Sequence, residues 1–522
     1  MSNRTGACLV ALLVGLASVL MTGCGSGNGN SNSNTTVPPP ITPTGMLVTF
    51  GTDQPSCDVQ AFLVTIQSAS LVPEGGGTAA TITPPTQPVD FASLVDFTDI
   101  ISFGSVNTGT YGQLTLTLAS PQLTYLDTST SPPTAATMPT CSPSVATNCT
   151  SFSDGSGTDT LNLMFSPPLQ ITTSGAAGLT LDFDMRASVQ TGANGLITGV
   201  VDPQITVTPA VASGTTLGEA DTVYGIVQSA PTTTSTNPNF VGSFPLQVQA
   251  GAGQVLTIQV ASSTTFEGDG VNGLSGTAAL QALQPGTFVE VDADVDTSGD
   301  IIAQEVDAES SQVTTGQYAG FLGRVISVTR DNNGNATGFN LIVGHEAWDM
   351  TSEVPLESAV AVTLSSGTNY WANWRHWNRD SLQFGPQSLG VAEDVAVYGQ
   401  LTAASSGPPA TPVTVAANLV FLRQRNVLGT FQNLLTSGSD NKTGGFTMLP
   451  CGHLFGGQQI TVLTFGDSRF RSLGGLSGLT SGPVINASGL LFYEQQNGPS
   501  QEPTWTAPTW VMEAKTVHQL PQ

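Results

Sequence analysis

The sequence predicts an all-β chain: an N-terminal β-sandwich-like domain followed by three tandem, small five-stranded β-barrel-like repeats. Three observations predict it. Apolar residues alternate with Thr and Asp over short runs, which is the period of half-buried strands. Gly (58 residues) and Pro (33) punctuate the chain and only 9% of residues are charged, a turn-rich composition that suits an extracytoplasmic β protein. The second half also repeats its own apolar and glycine pattern three times, about 100 residues apart.

The first stretch is a tether. Arg4, an apolar run from Ala7 to Met21 and the small pair Thr22-Gly23 lead into Cys24. That order matches a secretory signal, and the run is too short to cross a bilayer stably. It resembles a bacterial lipoprotein signal, although Met21 stands where such signals usually carry Leu. The resemblance implies cleavage after residue 23 and acylation of Cys24, with palmitate-type chains holding the protein to a membrane. Gly25, where retained lipoproteins carry Asp, implies onward transfer to the outer membrane. An ordinary signal peptide or an apolar N-terminal helix is the plainer alternative. Residues 24–44 hold nothing to bury and end in Pro38, Pro39 and Pro40, so they read as a linker reaching on the order of 25 Å.

Residues 45–211 read as the sandwich-like domain. Leu114, Leu116 and Leu118 alternate with Thr115 and Thr117, and Leu179, Leu181, Phe183 and Met185 alternate with Thr180, Asp182 and Asp184. Shorter runs at 46–50, 62–66, 161–165 and 205–207 supply more strands, and two packed sheets bury such one-sided strands. Three short pieces, Thr52-Asp53-Gln54-Pro55, the run from Gly109 to Leu114, and Leu181-Asp182-Phe183-Asp184, resemble the bacterial family called domain of unknown function 4382. That resemblance implies an exported β-sandwich-like domain without an assigned activity.

The repeats occupy 221–310, 316–424 and 425–520. Each opens on two apolar residues and a glycine: Val223-Tyr224-Gly225, Phe321-Leu322-Gly323 and Val427-Leu428-Gly429. A second strand starts at Phe244, Phe339 or Phe446. A third begins at Leu256, Val360 or Ile460 and meets an aromatic ten residues on, at Phe266, Tyr370 or Phe470. A fourth starts from Leu283, Leu389 or Leu479, and a fifth carries Val306, Leu419 or Val517. Five strands are too few for a sandwich, whereas closure into a barrel removes exposed edges. The first copy, through Ser263-Thr264-Thr265-Phe266 and Leu283-Gln284-Pro285-Gly286, resembles domain of unknown function 5666, found in exported bacterial proteins and likewise without assigned chemistry.

Charge limits the partners. A net charge of −25 repels nucleic acid, so none is expected. Residues 24–323 carry 24 acidic side chains against Arg186 alone, while 324–522 carry 13 acidic and 10 basic. Either the halves meet different electrostatic demands or the front half is acidic for solubility. Glu290, Asp292, Asp294, Asp296 and Asp300 alternate with valines and invite a calcium reading, but the glycine and glutamate an EF-hand loop requires are missing. A strand with its acids turned to water accounts for them. Asp331-Asn332-Asn333-Gly334 and Asp440-Asn441-Lys442 read as hairpin turns. Of the cysteines, Cys141 and Cys149 flank one short loop and are expected to form a disulfide. Cys57 and Cys451, in different domains, are expected as buried or free thiols.

No nucleophile, base and carboxylate fall into a catalytic motif around His345, His376, His453 or His518, so no catalytic residue, cofactor or metal is expected. The segment Trp371-Ala372-Asn373-Trp374-Arg375-His376-Trp377-Asn378-Arg379 departs most from the repeat. Three of the six tryptophans fall there. Trp371, Trp374, Arg375, Trp377 and Arg379 are therefore the candidate ligand-binding residues, the indoles for sugar rings or a partner's apolar surface and the arginines for carboxylates. The bland alternative is that the tryptophans plug the barrel end, their arginines reaching to water. The function expected is a non-catalytic binding or structural role at the envelope, with a polysaccharide or a surface protein as partner. An extracytoplasmic hydrolase or metal-dependent enzyme, and a pure spacer, are the rivals.

Overall fold

The computed structural model describes residues 43–520, apart from 55, 86–87, 95–98, 128–133, 194–195, 249–253, 269, 309–317, 347–357, 373–383, 403–412 and 498–502. Residues 43–522 form one compact unit. Cys24, the segment before it and most of the linker lie outside the described residues.

The N-terminal domain has two facing sheets. In the first, the order is Ile205–Pro209, Ala176–Asp184, Thr44–Gln54 and Asp99–Asn107. In the second, Ala80–Ile82, Val59–Pro73, Gly109–Asp127 and Thr134–Met138 lie side by side, and Thr158–Ile171 pairs with Gly109–Asp127. The alternation read from the sequence sets the layers: Leu114, Leu116, Leu118, Leu179, Leu181 and Phe183 all enter one core. The strand Thr44–Gln54 is buried on both faces. Leu47 points into the sandwich, while Val48 and Phe50 pack into the cluster of the first barrel. Such two-sided burial explains why Leu47, Val48 and Phe50 are all apolar although neighbours along a strand face opposite ways. The ring of Phe50 lies where a Cβ on Gly218 would stand, so only glycine fits there.

The first repeat is a closed barrel of Thr216–Val227, Phe240–Val248, Val255–Gly268, Phe288–Asp296 and Ile301–Ala308. Its third and fifth strands run parallel, giving the circuit first, second, third, fifth, fourth. This is the Greek-key order of the five-stranded OB-type barrel. The same circuit closes in the second and third repeats, from Tyr318–Arg330 to Thr414–Leu422 and from Gln424–Ser437 to Thr509–Gln519, where the third strand is broken in two. The leucine expected to start each fourth strand instead precedes it, Leu389 lying before a strand that begins at Asp394. Leu283 follows the helix Gly276–Ala282, Leu479 follows the turn Leu476–Gly478, and those two strands begin only at Phe288 and Val484.

Two devices repeat in all three barrels. A Cβ on the opening glycine, Gly225, Gly323 or Gly429, would meet the backbone oxygen of Gln247, Ile342 or Leu449 at 2.5 Å or less, so the strands approach only without a side chain. Two residues before the aromatic of the third strand, a buried hydroxyl staples the interruption, which is a register shift in the first barrel and a break in the other two. Thr264, Thr368 and Ser468 donate to the carbonyls of Ala303, Ala417 and Ala514 at 2.7, 2.8 and 2.7 Å, and accept the amides of Ala261, Ser365 and Phe465.

The acidic strand of the first barrel does not turn all its charges to water. Glu290 is ion-paired with Arg423, Asp292 lies 3.5 Å from Lys515 Nζ, and Glu219 on the neighbouring strand lies 3.7 Å from Arg471. The cations belong to the later barrels, so the uneven charge of the two halves is complementary where they meet. The hairpin turns stand as expected: Asp331 accepts the amides of Asn333 and Asn335, and Asp440 those of Lys442 and Thr443.

Candidate functional site

The broken third strand of the second barrel ends at Asn369–Ala372 and pairs in parallel with Thr414–Leu422, setting Trp371 beside Phe421. Period-2 alternation sends Ala372 into the barrel core and Trp371 outward. Trp371 is 41% exposed and stacks on Phe421 with ring centroids 4.9 Å apart and planes 25° from parallel. It is therefore no plug of the barrel end. Trp374, Arg375, Trp377 and Arg379 lie outside the described residues.

Beneath the indole the stack continues inward. The guanidinium of Arg423 lies 5.2 Å from the Phe421 ring and 5.6 Å from that of Tyr224, and Tyr224 stacks on Phe288. Arg423 is buried, donates to the Tyr224 hydroxyl at 3.4 Å, pairs with Glu290 and has Asp307 4.0 Å away. Burial lowers the guanidinium's pKa, while Tyr224 acts to raise it. Cation, carboxylates and rings together fix Phe421, and thereby the angle at which Trp371 meets solvent. Sequence reading missed Phe421, Arg423 and Tyr224, because Phe421 and Tyr224 sit in ordinary strand context, Arg423 on the link between two barrels, and they meet only where the barrels pack.

A second polar cluster joins the N-terminal domain to the later barrels. Arg324 forks onto Asp394 at 2.9 and 3.1 Å and donates to Gln60 at 3.1 Å, and Arg425 reaches the same carboxylate at 3.3 Å. Burial, with Arg324 adding to it, pushes Arg425 down to about 9. Next to it Glu393 is fully buried, accepts the Tyr493 amide at 2.9 Å and is raised well above the usual carboxylate range by burial.

The structure corrects one cysteine assignment. Cys141 and Cys149 are bridged as expected, but Cys57 and Cys451 are bridged too, across 394 residues. The turn after Gln54 meets the turn after the second strand of the third barrel, where Asp58 also accepts the His453 amide and faces its Nδ1, both at 2.9 Å. The two thiols belong to separate domains in sequence but to one docked surface in space.

Among the described residues, no group of three or more His, Cys, Asp or Glu is placed to hold a metal ion, and no helix is long and apolar enough to cross a membrane. His453 and Asp58 form a pair at a domain seam, and His376 lies outside the described residues.

The fold defines an all-β chain of one sandwich and three OB-type barrels, with the indole of Trp371 held outward on the second barrel. Residues 44–198 match the family model described as Domain of unknown function (DUF4382), and residues 243–307 that described as Domain of unknown function (DUF5666). No curated protein matches the chain. Among solved structures, a deletion mutant of the single-stranded DNA binding protein from Thermus aquaticus aligns at 12% identity over 40% of this chain and 96% of its own, with a TM-score of 0.12. A drosophila Unr fragment, CSD456, aligns at 9% identity over 58% and 98%, with a TM-score of 0.13. Superpositions this poor carry no inference about function.

Proposed function

We propose that the chain is a non-catalytic envelope lipoprotein, anchored to the outer membrane through Cys24, whose rigid four-body scaffold presents the Trp371 surface to an envelope polysaccharide or surface protein. One observation carries this reading: Trp371 is held outward on Phe421 and Arg423 immediately before Trp374, Arg375, Trp377 and Arg379. A large indole left exposed on a rigid wall is the residue type that anchors ligands, and arginines beside it suit the carboxylates of an acidic polymer. Docked bodies joined by a long-range disulfide and buried ion pairs suit a protein that must hold such a surface at a fixed place.

Two assays test it. Full-length protein immobilised on beads is exposed to envelope fractions and to acidic and neutral polysaccharides. Retention of one class, lost on Trp371→Ala, supports the reading, and equal retention by the variant removes it. For the anchor, Cys24→Ser should abolish fatty-acid labelling and release the protein from membranes; labelling that persists would sink the anchor.

A further inference from the structure

The outer face of the second sheet of the N-terminal domain is a ladder of uncharged polar side chains. Because Leu114, Leu116 and Leu118 point into the core, Gln113, Thr115 and Thr117 point outward from the central strand. Strand register extends Thr115 and Thr117 into polar rows, whereas Gln113 lies between Val72 and Met164, the latter 71% exposed. Thr81, Ser70, Thr115 and Asn162 are cross-strand neighbours in one, and Ser68, Thr117 and Thr160 in the next. Ser68, Thr81, Thr160 and Asn162 are exposed. Rows of this kind repeat at ~4.8 Å between strands and ~6.6 Å between alternate residues along a strand.

The side chains are held in place by one another. Thr117 and Thr160 hydroxyls lie 3.1 Å apart, Thr115 donates to Asn162 Oδ1 at 3.0 Å, and Gln113 Nε2 donates to the same oxygen at 2.9 Å. In a chain with only 9% charged residues, an uncharged face alone would mean little. Aligned rows whose rotamers are already fixed mean more, since a ligand that meets them loses less side-chain entropy on binding. The ladder carries no Lys or Arg, which an anionic polymer would need, and no aromatic or Arg anchor of the kind protein interfaces use. Hydroxyl and amide groups both donate and accept, as polyol hydroxyls do.

We infer that this face is a second binding surface, taking an uncharged polysaccharide chain laid along the cross-strand rows, one sugar ring per strand. Sugar hydroxyls pair with the donor and acceptor capacity the side chains keep beyond their mutual bonds, and the charge-free rows leave no ionic group to be desolvated. The inference does not rest on the Trp371 surface, which belongs to a different body.

Native electrophoresis of the full chain in neutral detergent, in gels cast with hydroxyethylcellulose, pullulan or galactomannan, tests it. The chain is expected to be retarded by at least one of the three. The variant T115V/T117V/T160V, which keeps the β-branched shape and removes the hydroxyls, is expected to lose that retardation. Should this variant melt lower than the parent, Ser68→Glu, which sets a charge at an exposed row position, is expected to lose it instead, and T117S/T160S to keep it. Trp371→Ala should leave it unchanged. Absence of retardation in all three gels, undiminished retardation of T115V/T117V/T160V or of Ser68→Glu, or its loss in Trp371→Ala alone, each overturns the inference.

Discussion

Arg423, on the link between the second and third barrels, is ion-paired with Glu290 of the first barrel. The pair is buried and its cation is shared with Asp307 and the Tyr224 hydroxyl. Removing one partner of a buried pair costs about 3–5 kcal/mol, because the charge left behind has lost its compensation. Arg423→Met should therefore lower the unfolding free energy by roughly that amount. Pairing it with Glu290→Gln should recover part of the loss, as read in a double-mutant cycle by denaturant unfolding. Strictly additive single losses would show that the two side chains are not coupled.

The Cys57–Cys451 bridge spans 394 residues and the Cys141–Cys149 bridge spans 8. A cross-link restrains the unfolded chain more when its loop is longer, with a typical contribution of about 2–4 kcal/mol. Replacing Cys57 and Cys451 by Ser should lower the denaturant midpoint more than replacing Cys141 and Cys149 does. Equal midpoints for the two double variants would contradict the docking of the N-terminal domain on the third barrel.

The hydroxyl staple in each barrel makes one prediction three times. Thr264→Val, Thr368→Val and Ser468→Ala each remove a buried group that both donates and accepts. Leaving the carbonyl and amide unpaired should cost about 1–3 kcal/mol per site. Similar losses at all three positions, measured by thermal melting, are expected, and a silent substitution would show that the staple is not shared.

Burial pushes the Glu494 carboxyl up to about 7. A carboxyl whose folded pKa is raised holds a proton that the unfolded chain has given up, so its contribution to stability falls as pH rises from the ordinary carboxylate range, near 4.5, through about 7. Glu494→Gln keeps the neutral shape at every pH. The melting temperature of the variant relative to the parent should accordingly be higher at pH 8 than at pH 5, and a gap that does not change with pH would contradict the assignment.

Much of the fold is legible in the sequence because it is written in local period. The alternation of Leu114, Leu116 and Leu118 fixes a layer, and Gly225, Gly323 and Gly429 mark the same close strand approach three times. What stays hidden is contact between bodies. Nothing local to Cys57 points to Cys451, and nothing in Glu290 distinguishes an acid facing water from one facing Arg423, since both alternate with valine in the same way. The candidate site was half legible: the clustered tryptophans draw attention to Trp371, while Phe421 and Arg423 beneath it are brought there only by strand pairing and barrel packing.

The exposed stacking of Trp371 on Phe421 is the centre of this account, and comparing Trp371→Ala with Trp371→Phe tests it most directly. With retention on envelope material and melting temperature measured on the same samples, Trp371→Ala should lose retention with its melting temperature little changed, because the side chain is 41% exposed. Trp371→Phe should keep part of the retention. A variant that melts markedly lower while retaining envelope material as well as the parent would show that Trp371 serves packing alone, and would contradict the account.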